Sequence, residues 1–141
     1  MLWLRAALLL AATFATTTTL GPAWYLATLG ADLLPLLSWR TVTVIWGTPE
    51  YLALGLRFSL SLLVILGCHE MGHFLACRHH RVPCSAPYFL PAPVGLGTFG
   101  AFMRVYGPLR DRRELFDVGA AGPIAGFVAL VPFLLIGARA S

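Results

Sequence analysis

The run from Tyr51 to Ala76 constrains this chain more than any other stretch: 26 residues, of which only Arg57 and Glu70 are formally charged. In hydrocarbon every backbone N–H and C=O must be paired within the segment, so such a run is expected to be a helix. It would cover about 39 Å, enough to cross a bilayer with some tilt.

Near its C-terminal end the run carries His69-Glu70-Met71-Gly72-His73, an H-E-x-x-H. Positions four apart share a helix face, so His69 and His73 can offer imidazole nitrogens to one metal ion. Glu70 is offset from the pair but close enough to take a proton from a water on that metal. By average residue usage the motif arises in a chain this short only about a few times in a thousand. A pair of satisfied core histidines beside a buried glutamate is the plain alternative. Three ionisable residues inside five positions of an apolar span disfavour it, because such residues are costly there and functional by default. Cys68 is next to His69, but neighbouring helix positions point about 100° apart, which argues against it as a ligand.

The surroundings agree with a membrane setting. Of 141 residues 58% are hydrophobic and 11% charged, and mean hydropathy is +0.79. Soluble domains carry about a quarter charged residues. The net charge of +4 comes from ten arginines and no lysine. These flank apolar segments, which fits orientation signals better than a nucleic-acid surface, so no nucleic-acid partner is expected. Cys68, Cys77 and Cys84 form no C-x-x-C pair and read as small buried hydrophobes, not as a disulfide framework.

Leu2 to Leu20 is long and apolar enough for a first span. A signal peptide is the competing reading, but no clear A-x-A site precedes Gly21-Pro22. Gly21 to Glu50 reads as a connection along the membrane surface with interfacial aromatics, including the short apolar run Leu33 to Leu37 and a β-rich run, Thr41 to Trp46, with strand character. The organisation expected is residues 1–50, a first span with its interfacial connection, and 51–141, part of a catalytic domain. Arg78-His79-His80-Arg81 reads as a solvated, positively charged helix end. Val82 to Tyr106 holds four prolines and three glycines among apolar residues, so it is expected to be a re-entrant loop or β-hairpin reaching towards the metal. An edge strand there would suit an extended peptide. Gly107 to Asp117 reads as a charged turn, most simply a solvated loop and helix entry. Gly119 to Gly137 reads as a third span in which Gly122 and Gly126 form a G-x-x-x-G helix-packing face. The fold class expected is therefore an all-α membrane protein with about three transmembrane helices. Arg78, Arg81, Arg104, Arg110, Arg112 and Arg113 place the segment 78–113 on the cytoplasmic side of a multi-pass protein.

With these residues in view the chain resembles the site-2 protease family of intramembrane zinc metalloproteases, over about Leu62 to Leu130. The resemblance is carried by Leu66-Gly67-Cys68-His69-Glu70-Met71-Gly72-His73-Phe74, by Pro87-Tyr88-Phe89-Leu90-Pro91-Ala92-Pro93, and by Gly97-Thr98-Phe99-Gly100-Ala101-Phe102. Leu115-Phe116-Asp117 and Ala121-Gly122-Pro123-Ile124-Ala125-Gly126 complete it. It implies one zinc ion held by His69 and His73, Glu70 as the catalytic acid–base, and cleavage within or near transmembrane helices of membrane-protein substrates. The Pro/Gly-rich loop would correspond to a membrane-associated β-region, with Gly97, Thr98, Phe99 and Gly100 contacting substrate.

The family also takes a third ligand from an Asp-Gly motif on a later span, and this sequence contains no Asp-Gly. Asp111, Glu114 and Asp117 precede the third span, and of these Asp117 stays open as a candidate. The expectation is a chain truncated before its last ligand, which a missing C-terminal segment or an additional chain would supply. Two alternatives remain: a catalytically inactive relative acting as a membrane-protein scaffold, and a metal-handling membrane protein.

Overall fold

The computed structural model describes residues 2–30 and 38–140. Its elements are α1 (Leu2–Thr28), α2 (Trp39–Gly47), α3 (Pro49–His79), β1 (Tyr88–Pro91), β2 (Thr98–Phe102) and α4 (Arg112–Ala140). Three helices are long and apolar enough to cross a membrane: Leu4–Thr28, Pro49–His79 and Arg112–Arg139. Large apolar side chains stay exposed along α3 and α4, among them Leu60, Leu75, Phe127, Val128, Leu134 and Ile136. Contacts divide the described residues into two units, one from Met1–Leu60 and Phe89–Gly100, the other from Ser61–Tyr88 and Ala101–Ser141.

In the first unit α1 runs past Leu20, where the sequence suggested it would stop, and continues through Gly21 and Pro22 to Thr28. Pro22 has no N–H for the carbonyl of Thr18, four residues back. That carbonyl lies against Gly55, where any side chain would collide with it. Thr17 and Ser59 share a buried hydroxyl bond of 2.6 Å. The expected strand Thr41–Trp46 is instead part of helix α2. Ser38 caps it, accepting from the Thr41 N–H at 3.4 Å. The β-branched residues prefer a strand only where a partner strand exists, and a helix satisfies its own backbone. Trp46 Nε1 donates to Thr19 Oγ1 at 3.0 Å, tying α2 to α1. The run Leu33–Leu37 lies outside the described residues.

In the second unit α3 ends at a Schellman turn. Val82 N–H bonds the Cys77 carbonyl at 2.8 Å, and Arg81 N–H bonds that of Arg78 at 3.1 Å. Arg81 takes the left-handed conformation that this turn requires, at φ 57°. Val82 folds back onto Cys77 and Val118, and Ala76, Cys84, Met103 and Leu109 close this small core. The three cysteines are free thiols, with Cys77 buried. Helix α4 begins at Arg112, within the segment expected to hold a charged loop and helix entry and ahead of the expected span Gly119–Gly137. Asp111 and Glu114 cause the earlier start: Asp111 Oδ1 accepts from Glu114 N–H at 2.8 Å, and Glu114 Oε2 from Arg110 N–H at 2.6 Å. This differs from a capping box only in that Glu114 reaches the N–H one residue before the cap.

Between α3 and α4 the chain forms a two-stranded sheet of β1 and β2. The six residues Ala92–Gly97 between the strands are too few for a parallel crossover, so the pair is antiparallel. The tip is closed by Ala92 N–H to the Gly97 carbonyl at 3.1 Å. Near the base, Cys84 and Val105 form an antiparallel bridge. Helix α1 holds the tip through two main-chain acceptors: Thr16 Oγ1 donates to the Gly97 carbonyl and Trp24 Nε1 to that of Gly95, each at 2.6 Å.

Candidate metal centre

One helix delivers the three central side chains, and no tertiary event is needed to bring them together. On α3, His69 and His73 lie one turn apart, and their Nε2 atoms are 3.2 Å from each other. Two nitrogens on one tetrahedral zinc, each at 2.0–2.1 Å, would be separated by about 3.3 Å. The observed spacing matches that separation.

The rest of the unit fixes one ring. His73 Nδ1 lies 2.6 Å from the Val118 carbonyl. A carbonyl only accepts, so Nδ1 carries a proton, and it is Nε2 that can offer a lone pair to a metal. This is the usual way that a ligating histidine is oriented and its tautomer chosen. Gly122 faces the same ring: a Cβ there would overlap His73 Nε2. Gly126 faces His69, where a Cβ would come 3.2 Å from that residue's Cβ and Nδ1. Gly72 faces the Ala121 carbonyl with equally little room. These glycines let α3 and α4 approach closely beside the two imidazoles. Glu70 is buried, with 7% of its surface exposed. Among the described residues no hydrogen bond or ion pair engages its carboxylate. A buried carboxylate is costly unless something compensates it, so the burial of Glu70 is itself informative.

Asp117 does not join the imidazoles. Its Oδ2 accepts from His80 Nε2 at 2.9 Å. His80 therefore lies outside the purely solvated helix end expected of Arg78–Arg81. Among the described residues no group of three or more His, Cys, Asp or Glu side chains is arranged to hold a metal ion. Gly97, Thr98, Phe99 and Gly100 belong to the other unit, in the hairpin. Gly97 and Gly100 adopt positive φ, 85° and 103°, and Phe99 is 73% exposed. Thr98 Oγ1 donates to the Leu90 carbonyl at 2.8 Å across the strand pair.

Sequence reasoning missed the Val118 carbonyl and the His80–Asp117 pair. Neither leaves a local signal, since each joins residues far apart in the chain. The facing of Gly122 and Gly126 to the histidines was half visible in their four-residue spacing.

An apolar helix presenting two convergent imidazoles and a buried carboxylate through H-E-x-x-H has the arrangement of a membrane-type metalloprotease helix. Comparison places it more closely. The family description of peptidase family M50 matches residues 57–140, and the chain belongs to that family. The protein named "Probable zinc metalloprotease EGY2, chloroplastic" of Oryza sativa subsp. indica is 40% identical over 88 residues, which are 62% of this chain and 16% of that protein. Its namesake in Arabidopsis thaliana is 38% identical over 87 residues, 61% of this chain and 16% of that one. "Probable zinc metalloprotease EGY1, chloroplastic" of Arabidopsis thaliana is 40% identical over 82 residues, 58% of this chain and 15% of that protein. The chain thus spans 16% of the length of the first of these relatives. No solved structure matches it.

Proposed function

We propose that this chain carries the zinc-binding and acid–base helix of an intramembrane metalloendopeptidase that hydrolyses peptide bonds in or near transmembrane helices. The observation that carries the reading is the pair of Nε2 atoms 3.2 Å apart on His69 and His73, with the His73 tautomer set by Val118. His69 and His73 would hold one zinc. Catalytic zinc takes three protein ligands, of which these two histidines would be two. When bound, zinc supplies Lewis-acid activation of water and of the scissile carbonyl. Glu70 takes the proton from the attacking water and passes it to the leaving amine. Its burial keeps that proton on the reaction path. The exposed β2 surface around Phe99 presents the unwound substrate segment. The protein is multi-pass, and the arginine-rich segment 78–113 faces the cytoplasmic side.

Zinc content and cleavage of a single-span reporter protein in membranes test this reading together. Glu70→Gln is expected to retain zinc and to lose about 10²–10⁴-fold in cleavage rate, the usual worth of a positioned acid–base. His69→Ala loses the zinc. Cleavage by Glu70→Gln at the parent rate overturns the assignment.

A further inference from the structure

The His80–Asp117 pair lies outside the metalloprotease motif, yet it abuts the motif's support. Asp117 immediately precedes Val118, whose carbonyl accepts from His73 Nδ1. His80 is seven residues past His73, immediately after the end of α3, where its own N–H bonds the Ala76 carbonyl at 3.0 Å. The pair is partly shielded: His80 is 17% exposed and Asp117 43%. Helix side chains lean towards the N-terminus and carbonyls point towards the C-terminus. The Asp117 carboxylate and the Val118 carbonyl therefore leave α4 in opposite axial directions and meet α3 at two points two turns apart. Further along, Ala121 meets Gly72, Gly122 meets His73 and Gly126 meets His69.

This makes the register of α4 on α3 the quantity that sets His73. A slip of one residue moves a helix by 1.5 Å and turns it by about 100°. Either change takes the Val118 carbonyl away from Nδ1. The apolar and glycine contacts in this seam have little directionality. The His80–Asp117 bond is directional and joins an N–H to a carboxylate, the stronger kind of hydrogen bond.

We propose that His80 and Asp117 are positioning residues: their bond locks α4 in the register that presents the Val118 carbonyl to His73, and so keeps His73 Nε2 free for zinc. The inference rests on the metal reading above. It assigns neither residue to the metal or to the reacting atoms.

The test is zinc affinity of the full chain in detergent micelles, read by competition with a chromophoric chelator, with helix content followed by circular dichroism. His80→Ala and Asp117→Ala are each expected to weaken zinc binding about 10-fold, the low end of the loss seen when an outer partner of a ligating histidine is removed. Because the two act as one unit, the double variant is no weaker than either single one. His80→Gln, whose amide N–H can take the place of imidazole Nε2–H, restores affinity to within about 2-fold. Asp117→Leu, similar in shape but with no acceptor, replaces Asp117→Ala if the alanine variant does not fold, with the same loss expected. Parent affinity in His80→Ala, additive losses in the double variant, or no rescue by His80→Gln overturns the proposal. His69→Ala separates the two levels. If it leaves zinc binding unchanged, the metal reading itself fails. If it abolishes binding while His80→Ala has no effect, only the lock fails.

Discussion

Gly122→Ala adds one methyl group where the seam beside the two imidazoles has no room for it. The new Cβ would overlap His73 Nε2 and crowd the carbons on either side of it. The imidazole cannot retreat freely, because Nδ1 is held at 2.6 Å by the Val118 carbonyl. Either the ring turns and breaks that bond, or α4 moves outward and takes Val118 with it. Overpacking costs about 1–3 kcal/mol and a lost hydrogen bond about 1 kcal/mol. Together they give about 2–4 kcal/mol, or about 30- to 700-fold in zinc affinity. Gly126→Ala is the internal control. Its Cβ would sit 3.2 Å from His69 atoms, a contact that a shift of a few tenths of an ångström relieves. The expected loss there is within about 2-fold. Chelator competition in micelles measures both, with circular dichroism to confirm that the helices persist. Parent-like zinc affinity in Gly122→Ala, or a larger loss in Gly126→Ala, refutes the argument that the glycine seam sets the imidazole pair.

Two further outcomes follow from the geometry. Arg81→Gly relieves a left-handed conformation that costs an L-residue about 1–2 kcal/mol, so resistance of the helical signal to chemical unfolding should rise. Removing the two donors that hold the hairpin tip, in Thr16→Val with Trp24→Phe, should speed amide exchange at Gly95–Gly97 by about 5- to 140-fold, for about 1–3 kcal/mol of lost hydrogen bonding. Unchanged exchange would mean that these bonds do not hold the tip.

What the sequence revealed and what it hid follow from how far apart the interacting residues lie. His69, Glu70 and His73 need only the period of one helix, and the three apolar helices need only length and composition. Thr41–Trp46 misled because β-branched residues record a preference for a sheet without recording whether a partner strand is near. The early start of α4 was written locally, in Asp111 and Glu114, and was obscured by the surrounding charge. The bond between His73 and Val118 could not be read at all. Its acceptor is a main-chain carbonyl, which every residue has, so no side chain marks it. The His80–Asp117 pair was hidden differently, since any of several downstream acids had equal standing until α4 was placed.

The hold of α1 on the hairpin has a consequence for how such a chain can diversify. Thr16 and Trp24 bind carbonyls of the tip, not its side chains. Gly97 is tied to its identity by its positive φ and by the Thr17 backbone lying where a Cβ would go, and Gly95 by its positive φ of 67°. Val94 and Leu96, 51% and 48% exposed, are free of that attachment. Substitutions at these two positions can therefore accumulate without unseating the loop, so that one fixed mount can display many different surfaces.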